Sequence, residues 1–251
     1  MHMLYDKLPD ITMKKGYIMV EQKSIYVNSF GRGRLLNDKG ERILLRTKKA
    51  YELFFYLFHY REELVTKEDL VDMLFPDMTS ERGGSNLHTT IYQIRKEFDK
   101  HGYPDIIVYK SGTYFINAQI KSDCEEVQKI LMDMLTEESL MRILKVYDGQ
   151  YFERDNYEWS EYLRNEIHSK IILGVKEAIS LNKLSNMVLM QFLLVFKEDC
   201  LCDLELLDSI LDQFNQSRDR LKVKKIINDA QRYWEINMLC TLPEEISKKY
   251  Q

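Results

Sequence analysis

The chain has 251 residues, of which 45% are hydrophobic, and it contains only 10 Gly and 4 Pro. This composition is typical of one large or two modest globular domains, with little material for disordered linkers. No apolar run approaches the roughly 18 residues of a membrane-spanning helix, so we expect a cytoplasmic protein without membrane contact.

Charge is unevenly distributed along the chain. Residues 1–120 contain 18 Lys and Arg against 16 Asp and Glu, whereas residues 121–251 contain 18 against 24. A bound polyanion would therefore favour the first half, although a net charge of +2 is a weak signal. The four cysteines suit a reducing compartment, and the close pair Cys200 and Cys202 has no His nearby and falls short of zinc-ligand spacing. The sequence thus predicts no metal ion and no cofactor.

The first half begins with strands. Residues 25–31 alternate in strand fashion, and residues 42–46 are a second candidate strand, with good turn residues at 37–40 between them. The Gly-Arg-Gly stretch at 31–33 does not extend into a phosphate-binding motif and is interpreted as a flexible loop. Residues 1–24 are interpreted as an N-terminal tail, or as a linker from a preceding domain.

Two helices follow the predicted strands. After Thr47 the apolar residues recur at i, i+3, i+4, i+7 and i+8, which predicts an amphipathic helix. These residues are Ala50, Leu53, Phe54, Leu57 and Phe58. The next helix is short, because Thr66 is a suitable N-cap with Asp69 three residues on, and Pro76 ends the pattern.

A third helix and a hairpin complete the first half. The helix is expected to begin near Ser80, or after Gly83 and Gly84, and to fade near His101. Residues 106–109 and 113–116 flank Lys-Ser-Gly, which predicts a β-hairpin with Gly112 available for positive φ. A short capped helix, a longer helix and a basic-tipped hairpin in this order predict a winged helix-turn-helix.

The third helix is polar on one side in a way that suits a DNA duplex. Its apolar residues fall within a narrow arc, namely Leu87, Ile91, Ile94 and Phe98. The opposite side carries hydroxyls, amides and cations, the groups that read base edges in the major groove, and after Glu81 no carboxylate occurs until Glu97. A Gly-rich helix start would also leave N–H groups open to a phosphate. An ordinary solvated face is the alternative, and the pattern alone leaves both open.

The second half is predicted to be almost wholly helical. Six or seven helices run from Ser122 to the C-terminus, interrupted by a Gly- and Asn-bearing loop at residues 148–159, and predict an antiparallel array of helical hairpins. One helix is expected over residues 201–214. The lengths are compatible with a tetratricopeptide period, but the small-residue signature is mostly missing. Six aromatic residues between 147 and 162 are interpreted as core between helix pairs, with a ligand-lined groove as the alternative.

Several segments carry a resemblance to a known family. In the first half these are RTKKAYELFFYL (46–57), VTKEDLVDMLFPD (65–77), SNLHTTIYQIRKEF (85–98) and GTYFI (112–116). Together they resemble the OmpR/PhoB-type winged-helix DNA-binding domain, most closely its version in the SARP/AfsR-like transcriptional regulators. Residues 148–167 and 234–250 are similar to the opening and to the closing helix pair of the bacterial transcriptional activator domain in those regulators.

The resemblance implies a mainly α protein with a small α+β domain. A winged helix would occupy residues 25–120, and a tetratricopeptide-like helical domain residues 121–251. In this family the third helix enters the major groove and the wing touches the backbone. Carried over position by position, the implied DNA contacts are Arg82, Asn86, Thr89, Thr90, Gln93, Arg95 and Lys96 on the helix, with Lys110 and Thr113 in the wing.

The implied function is sequence-specific binding of double-stranded DNA by a bacterial transcription regulator. Its helical domain would serve homodimerisation on repeated half-sites, effector binding or contact with RNA polymerase. The chain could be the output part of a two-component response regulator, although no receiver domain is recognised within it. The competing hypothesis is a protein–protein interaction scaffold whose winged helix binds protein. No nucleophile motif accompanies the scattered His residues, so an enzyme is not expected.

Overall fold

The computed structural model describes residues 23–250, which form a mainly α protein with two three-stranded sheets. The predicted tail or linker at residues 1–24 lies outside this range apart from Lys23 and Ser24. The N-terminal elements are β1 (Ser24–Asn28), β2 (Arg34–Leu36), α1 (Lys48–His59), β3 (Val65–Thr66), α2 (Lys67–Leu74), α3 (Ser80–Lys100), β4 (Ile107–Lys110), β5 (Thr113–Ile116) and β6 (Gln119–Ser122). The remaining helices are α4 (Asp123–Ile130), α5 (Glu137–Val146), α6 (Glu161–Ser180), α7 (Asn186–Val195), α8 (Lys197–Cys202), α9 (Leu204–Gln216), α10 (Arg220–Tyr233) and α11 (Glu244–Lys249).

The first sheet has the strand order β2-β1-β6, with β1 antiparallel to β2 and parallel to β6. The turn predicted at 37–40 is confirmed, but the strand predicted at 42–46 is wrong. The side-chain oxygen of Asn37 accepts the N–H groups of Lys39 and Glu41 at 3.0 and 2.8 Å, which reverses the chain directly after Leu36. The strand therefore precedes the turn. The returning segment adds a bridge at Arg42 and two backbone bonds, from Asn37 N–H to Glu41 and from Ile43 N–H to Leu35.

Side chains cap the first two helices, and the cap predicted at Thr66 is confirmed. The Thr47 side chain accepts the N–H of Ala50 at 3.1 Å at the start of α1. At the start of α2, Thr66 and Asp69 form a reciprocal capping box, and the hydrogen bonds from Thr66 hold the pKa of the Asp69 carboxyl below its usual value. Each cap satisfies N–H groups that have no partner within the helix.

The second sheet is the wing, with the strand order β3-β5-β4. The predicted hairpin is confirmed by the antiparallel pairing of β4 with β5, from Ile107 opposite Ile116 to Lys110 opposite Thr113. Its two-residue turn holds Ser111 at φ 53° and Gly112 at φ 89°. The strand β3, which the sequence pattern does not indicate, pairs with β5 and ties the wing to the start of α2.

Between β6 and Tyr250 the chain forms eight α-helices, where the sequence predicts six or seven, and they form the expected helical array. The helix predicted over residues 201–214 is confirmed as α9, but it begins at Leu204, because Leu201 and Cys202 end α8. The carboxylate of Asp203 accepts the N–H of Leu206 at 3.0 Å and so caps a new helix, α9, directly after α8. The apolar faces of α6, α7, α9 and α10 meet in a core that includes Ile171, Phe192 and Ile210.

The two halves of the chain meet at β6 and α4. Asp123 is the first residue of α4 and is 1% exposed. Its carboxylate accepts the N–H and O–H of Ser29 at 2.6 to 2.9 Å. The N–H groups of Phe30 and Cys124 also donate to it. Burial raises the pKa of this carboxyl, and these hydrogen bonds oppose the rise. The start of the helical array is therefore held against the strand β1.

The loop at residues 148–159 packs against the first half of the chain. The N–H of Phe152 donates to Ser29 at 2.7 Å, and that of Gly31 donates to Gln150 at 2.9 Å. Gly31 and Gly33 are required by close contacts and are not signs of a flexible loop. Gly31 has φ +76° and lies against the Asp148 carbonyl, and a Cβ on Gly33 would lie 2.5 Å from the Phe55 ring.

The aromatic residues of this loop pack on α1, so the expectation that they lie between helix pairs is wrong for most of them. Phe152 lies 4.7 Å from Phe55, and Trp159 lies 5.1 Å from His59, between ring centroids. Tyr162 is 81% exposed. The aromatic cluster therefore joins the two halves of the chain.

Within residues 23–250 no helix is both long and apolar enough to cross a membrane. The same residues contain no group of three or more His, Cys, Asp or Glu side chains arranged to hold a metal ion.

The substitution Asp123→Asn should lower the free energy of unfolding by about 1–3 kcal/mol, because an amide would turn its NH2 group toward donors that now meet a carboxylate oxygen. Urea unfolding monitored by circular dichroism measures the change. Asp133→Asn, at an exposed carboxylate, is the control and should stay within about 0.5 kcal/mol of wild type. Equal effects of the two substitutions would contradict a structural role for Asp123.

A second prediction concerns the pH dependence of stability, to which the imidazole of His59 contributes. Burial, with a contribution from Arg61, lowers its pKa from 6.5 to about 4. Between pH 6.5 and pH 4 the imidazole is therefore protonated in the unfolded chain and neutral in the folded protein. The contribution of His59 to stability is present above pH 6.5 and is lost as the pH falls toward 4. Unfolding measured between pH 7 and pH 4 should show a smaller decline for His59→Gln than for wild type. His88→Gln, which removes an exposed imidazole, should retain the wild-type decline.

Candidate nucleic-acid interface

The helix α3 is anchored by one apolar stripe. The side chains of Leu87, Ile91, Ile94 and Phe98 are at most 3% exposed. Phe98 stacks on Phe54 of α1 with 4.9 Å between ring centroids. Because this stripe is fully used, the opposite face of α3 points away from the core, as the amphipathic pattern predicts.

The opposite face of α3 is open to solvent. The exposed residues among the predicted contacts are Arg82, Asn86, Thr89 and Lys96, and Gln93 is half-buried. The hydroxyls of Ser85 and Thr89 donate to carbonyls one turn earlier in the same helix, so their oxygen lone pairs remain able to accept. The Asn86 amide donates to the Met78 sulfur at 3.0 Å. Hydroxyl, amide and cationic groups thus alternate along one accessible strip.

Two of the predicted contacts are placed differently from the others. Thr90 is 8% exposed, and its hydroxyl donates to the Asn86 carbonyl at 2.8 Å. The Arg95 guanidinium donates twice to the Ile107 carbonyl, at 2.8 and 2.6 Å. Thr90 therefore lies on the inner side of α3, and Arg95 fastens the strand β4 of the wing to the helix.

The expectation that the Gly-rich segment offers free N–H groups is wrong. The helix already begins at Ser80, and the N–H of Gly83 donates to Thr79 at 2.8 Å. Gly83 is needed for packing, because a Cβ at this position would lie 2.5 Å from a methyl group of Val71 on α2. The two helices of the helix-turn-helix therefore approach closely at Gly83.

The wing places its tip away from the rest of the described chain. A Cβ on Gly112 would meet nothing within 4 Å. Lys110 is exposed at the end of β4, and the hydroxyl of its partner Thr113 donates to the Lys110 carbonyl at 3.1 Å. The tip thus carries the cation of Lys110 and the hydroxyl of Thr113 on either side of a two-residue turn.

Three cations of α3 and the wing form no ion pair with a carboxylate in residues 23–250, namely Arg82, Lys96 and Lys110. The carboxylate of Glu97, which follows Lys96 on α3, lies 2.5 Å from Lys100 and 3.9 Å from His101. These three cations are consequently available to a phosphate group.

Two exposed aromatic residues belong to the same surface and were not among the predicted contacts. Tyr92 on α3 is 64% exposed, and Tyr109 on β4 is 54% exposed and lies 4.7 Å from the Tyr114 ring. The position of Tyr92 on the outer face could be read from helical periodicity. That of Tyr109 could be read from its place next to Lys110 in the first strand of the predicted hairpin.

A comparison with solved structures gives the class of fold. EmbR of Mycobacterium tuberculosis, solved in complex with a low affinity phosphopeptide, superposes with a TM-score of 0.61 at 11% sequence identity. The match covers 91% of this chain and 64% of EmbR. At this identity the likeness shows the fold alone, a winged helix-turn-helix followed by a tetratricopeptide-like helical array. No protein-family model and no curated protein matches the sequence.

Replacing Arg95 by Met should loosen the wing, because the buried Ile107 carbonyl loses both donors from α3. We expect the amides of β4 and β5 to exchange hydrogen about 5- to 150-fold faster, which corresponds to about 1–3 kcal/mol. Hydrogen exchange followed by mass spectrometry measures this change. Lys96→Met, which removes an exposed cation of the same helix, is the control and should leave wing exchange unchanged. Unchanged exchange in the Arg95 variant would show that the wing does not depend on this contact.

Proposed function

We propose that this chain is a DNA-binding transcription regulator of the SARP type, acting in the bacterial cytoplasm. The fold shared with EmbR, a regulator of that family, supports the class. In this proposal α3 lies in the major groove of double-stranded DNA and the wing contacts the backbone. The proposal includes no catalytic activity.

The observation that carries this proposal is the open outer face of α3 beside an open wing tip. Seven of the predicted residues form the proposed contact surface, namely Arg82, Asn86, Thr89, Gln93, Lys96, Lys110 and Thr113. Amide and hydroxyl groups in the middle of α3 suit base edges, whereas the cations suit phosphates. Arg95 is proposed to position the wing, and Thr90 to pack inside.

A domain division accompanies the proposal. The winged helix would correspond to residues 25–120 and the helical domain to residues 121–251, with β6 crossing that boundary to complete the first sheet. We propose that the helical domain serves homodimerisation on repeated half-sites, effector binding or contact with RNA polymerase. A chain of this kind can act as the output part of a two-component response regulator.

The second candidate function is a protein-binding winged helix, which the exposed Tyr92 and Tyr109 favour. Aromatic side chains are enriched in protein interfaces, but they also stack on bases and sugars. The cations without carboxylate partners favour DNA. Selection of binding sites from random duplex DNA by the purified protein, read out by sequencing, tests the two hypotheses. Failure to enrich any sequence at low salt would contradict the DNA proposal and leave the scaffold hypothesis.

On the selected duplex, Gln93→Ala should weaken binding by about 1–3 kcal/mol at one base pair and relax the preference there. Lys110→Ala should weaken binding to selected and random duplexes alike and should reduce the slope of log affinity against log salt by about 1. Fluorescence anisotropy over a range of salt concentrations measures both. Lys224→Ala, on the exposed surface of α10, is the matched control and should bind like wild type. Equal losses on both duplexes for Gln93→Ala would show that this residue does not read a base.

A further inference from the structure

A cavity of 370 Å³ opens where the two halves of the chain meet. One wall is formed by the segment around β2 and by the start of α1. The other wall is formed by the loop that follows Asp148, through Arg154, Asp155 and Tyr157. The cavity lies within the size range of small-molecule sites, about 300–1,000 Å³.

Five cations and one carboxylate line this cavity. The cations are Arg32, Arg34, Arg42, Lys48 and Arg154, and the carboxylate is that of Asp155. The Asp155 carboxylate is already engaged, because it accepts the Gly33 N–H at 2.6 Å. The lining therefore carries a large excess of positive charge in a chain whose net charge is −4.

Some of this charge has a partner and some has none. Arg34 and Arg154 share the carboxylate of Asp148 at 3.0 and 3.2 Å. Neither Arg42 nor Lys48 forms an ion pair with any residue between 23 and 250. Like charges held together in a concave site repel one another, so a bound anion would relieve the repulsion.

The remaining walls are apolar. The rings of Tyr51 and Tyr157 and the side chain of Leu44, which is 62% exposed, line the same space. Guanidinium groups bind phosphate through two parallel N–H bonds, and aromatic rings pack against the organic part of a ligand. The cavity thus offers one cationic region and one apolar region.

We propose that this cavity binds a small molecule carrying two or more phosphate groups, with Arg42 and Lys48 as its principal charge partners. Residues from both halves of the chain surround the ligand, so its binding stabilises the junction at which the helical array meets the winged helix. The site is separate from the outer face of α3. It does not depend on the proposed binding of DNA.

Isothermal titration calorimetry on the full chain at low ionic strength tests the proposal. Inorganic pyrophosphate and ADP are the probes, and orthophosphate, which has a single phosphate group, is the control. We expect saturable binding of one pyrophosphate or ADP per chain, and binding of orthophosphate at least about tenfold weaker, since it meets fewer of the cations. Either probe should raise the midpoint temperature of thermal unfolding, because only the folded protein has the cavity.

Two double variants complete the test. Arg42→Ala with Lys48→Ala should weaken pyrophosphate binding at least about tenfold, because two charge-assisted contacts are lost. Lys224→Ala with Lys225→Ala removes the same charge from exposed positions of α10 and should bind like wild type. All four residues are exposed, and unchanged thermal unfolding without probe verifies that each variant is folded.

Three outcomes would overturn the proposal. The first is the absence of saturable binding of either probe to wild type. The second is an equal loss of binding in both double variants, which would mean general attraction to a charged surface. The third combines two results: wild type does not bind pyrophosphate, and the variant with Arg42→Ala and Lys48→Ala binds duplex DNA more weakly than wild type. These results would assign the two cations to contacts with the DNA backbone. Pyrophosphate binding by a protein that selects no duplex would leave this site intact while removing the proposed function.

Discussion

The buried carboxylate of Asp123 is the contact on which the arrangement of the two halves depends. A charge that loses its water must be hydrogen-bonded within the protein, since the cost of burying it unpaired is several kcal/mol. Ser29, Phe30 and Cys124 supply the donors, and they do so only if β1, β6 and the first turn of α4 are in register. The polar contact thus specifies one geometry, which the loop after Asp148 then covers with aromatic rings.

The helix α1 connects this junction to the candidate DNA interface, because it packs against α3 on one side and against the loop after Asp148 on the other. Phe54 stacks on Phe98 of α3, while the next residue, Phe55, contacts Phe152 of the loop. Successive residues of a helix are separated by about 100°, so neighbouring rings reach different partners. With its apolar stripe held by α1, α3 leaves its polar side in solvent, beside a wing fastened by Arg95. The proposed role as a DNA reader follows from this exposure.

The uneven distribution of charge takes on meaning once the chain is folded. The first half has a net charge of only +2 in sequence, yet its cations gather in two places. One group lies along α3 and the wing tip, and the other lines the cavity at the junction. Two of the carboxylates nearby have other partners, namely Glu97 with Lys100 and Asp155 with the Gly33 N–H. Local excess of charge, rather than the net value, is what a phosphate group would experience.

The sequence by itself determined the features that depend on near neighbours in the chain. The caps at Thr47 and Thr66, the turn at Asn37, the apolar stripe of α3 and the hairpin at Gly112 all rest on side chains within a few residues, and the structure has each of them. Only the tertiary structure decided the strands β3 and β6, the need for Gly31 and Gly33, the inward place of Thr90 and the attachment of Arg95 to Ile107. Except at Thr90, each of these features depends on a contact between two segments that are distant in sequence. The place of Thr90, whose hydroxyl bonds within its own helix, was decided by which elements cover that side of α3. No local pattern of residue types encodes such contacts, because the partner that creates each one is brought near only by folding.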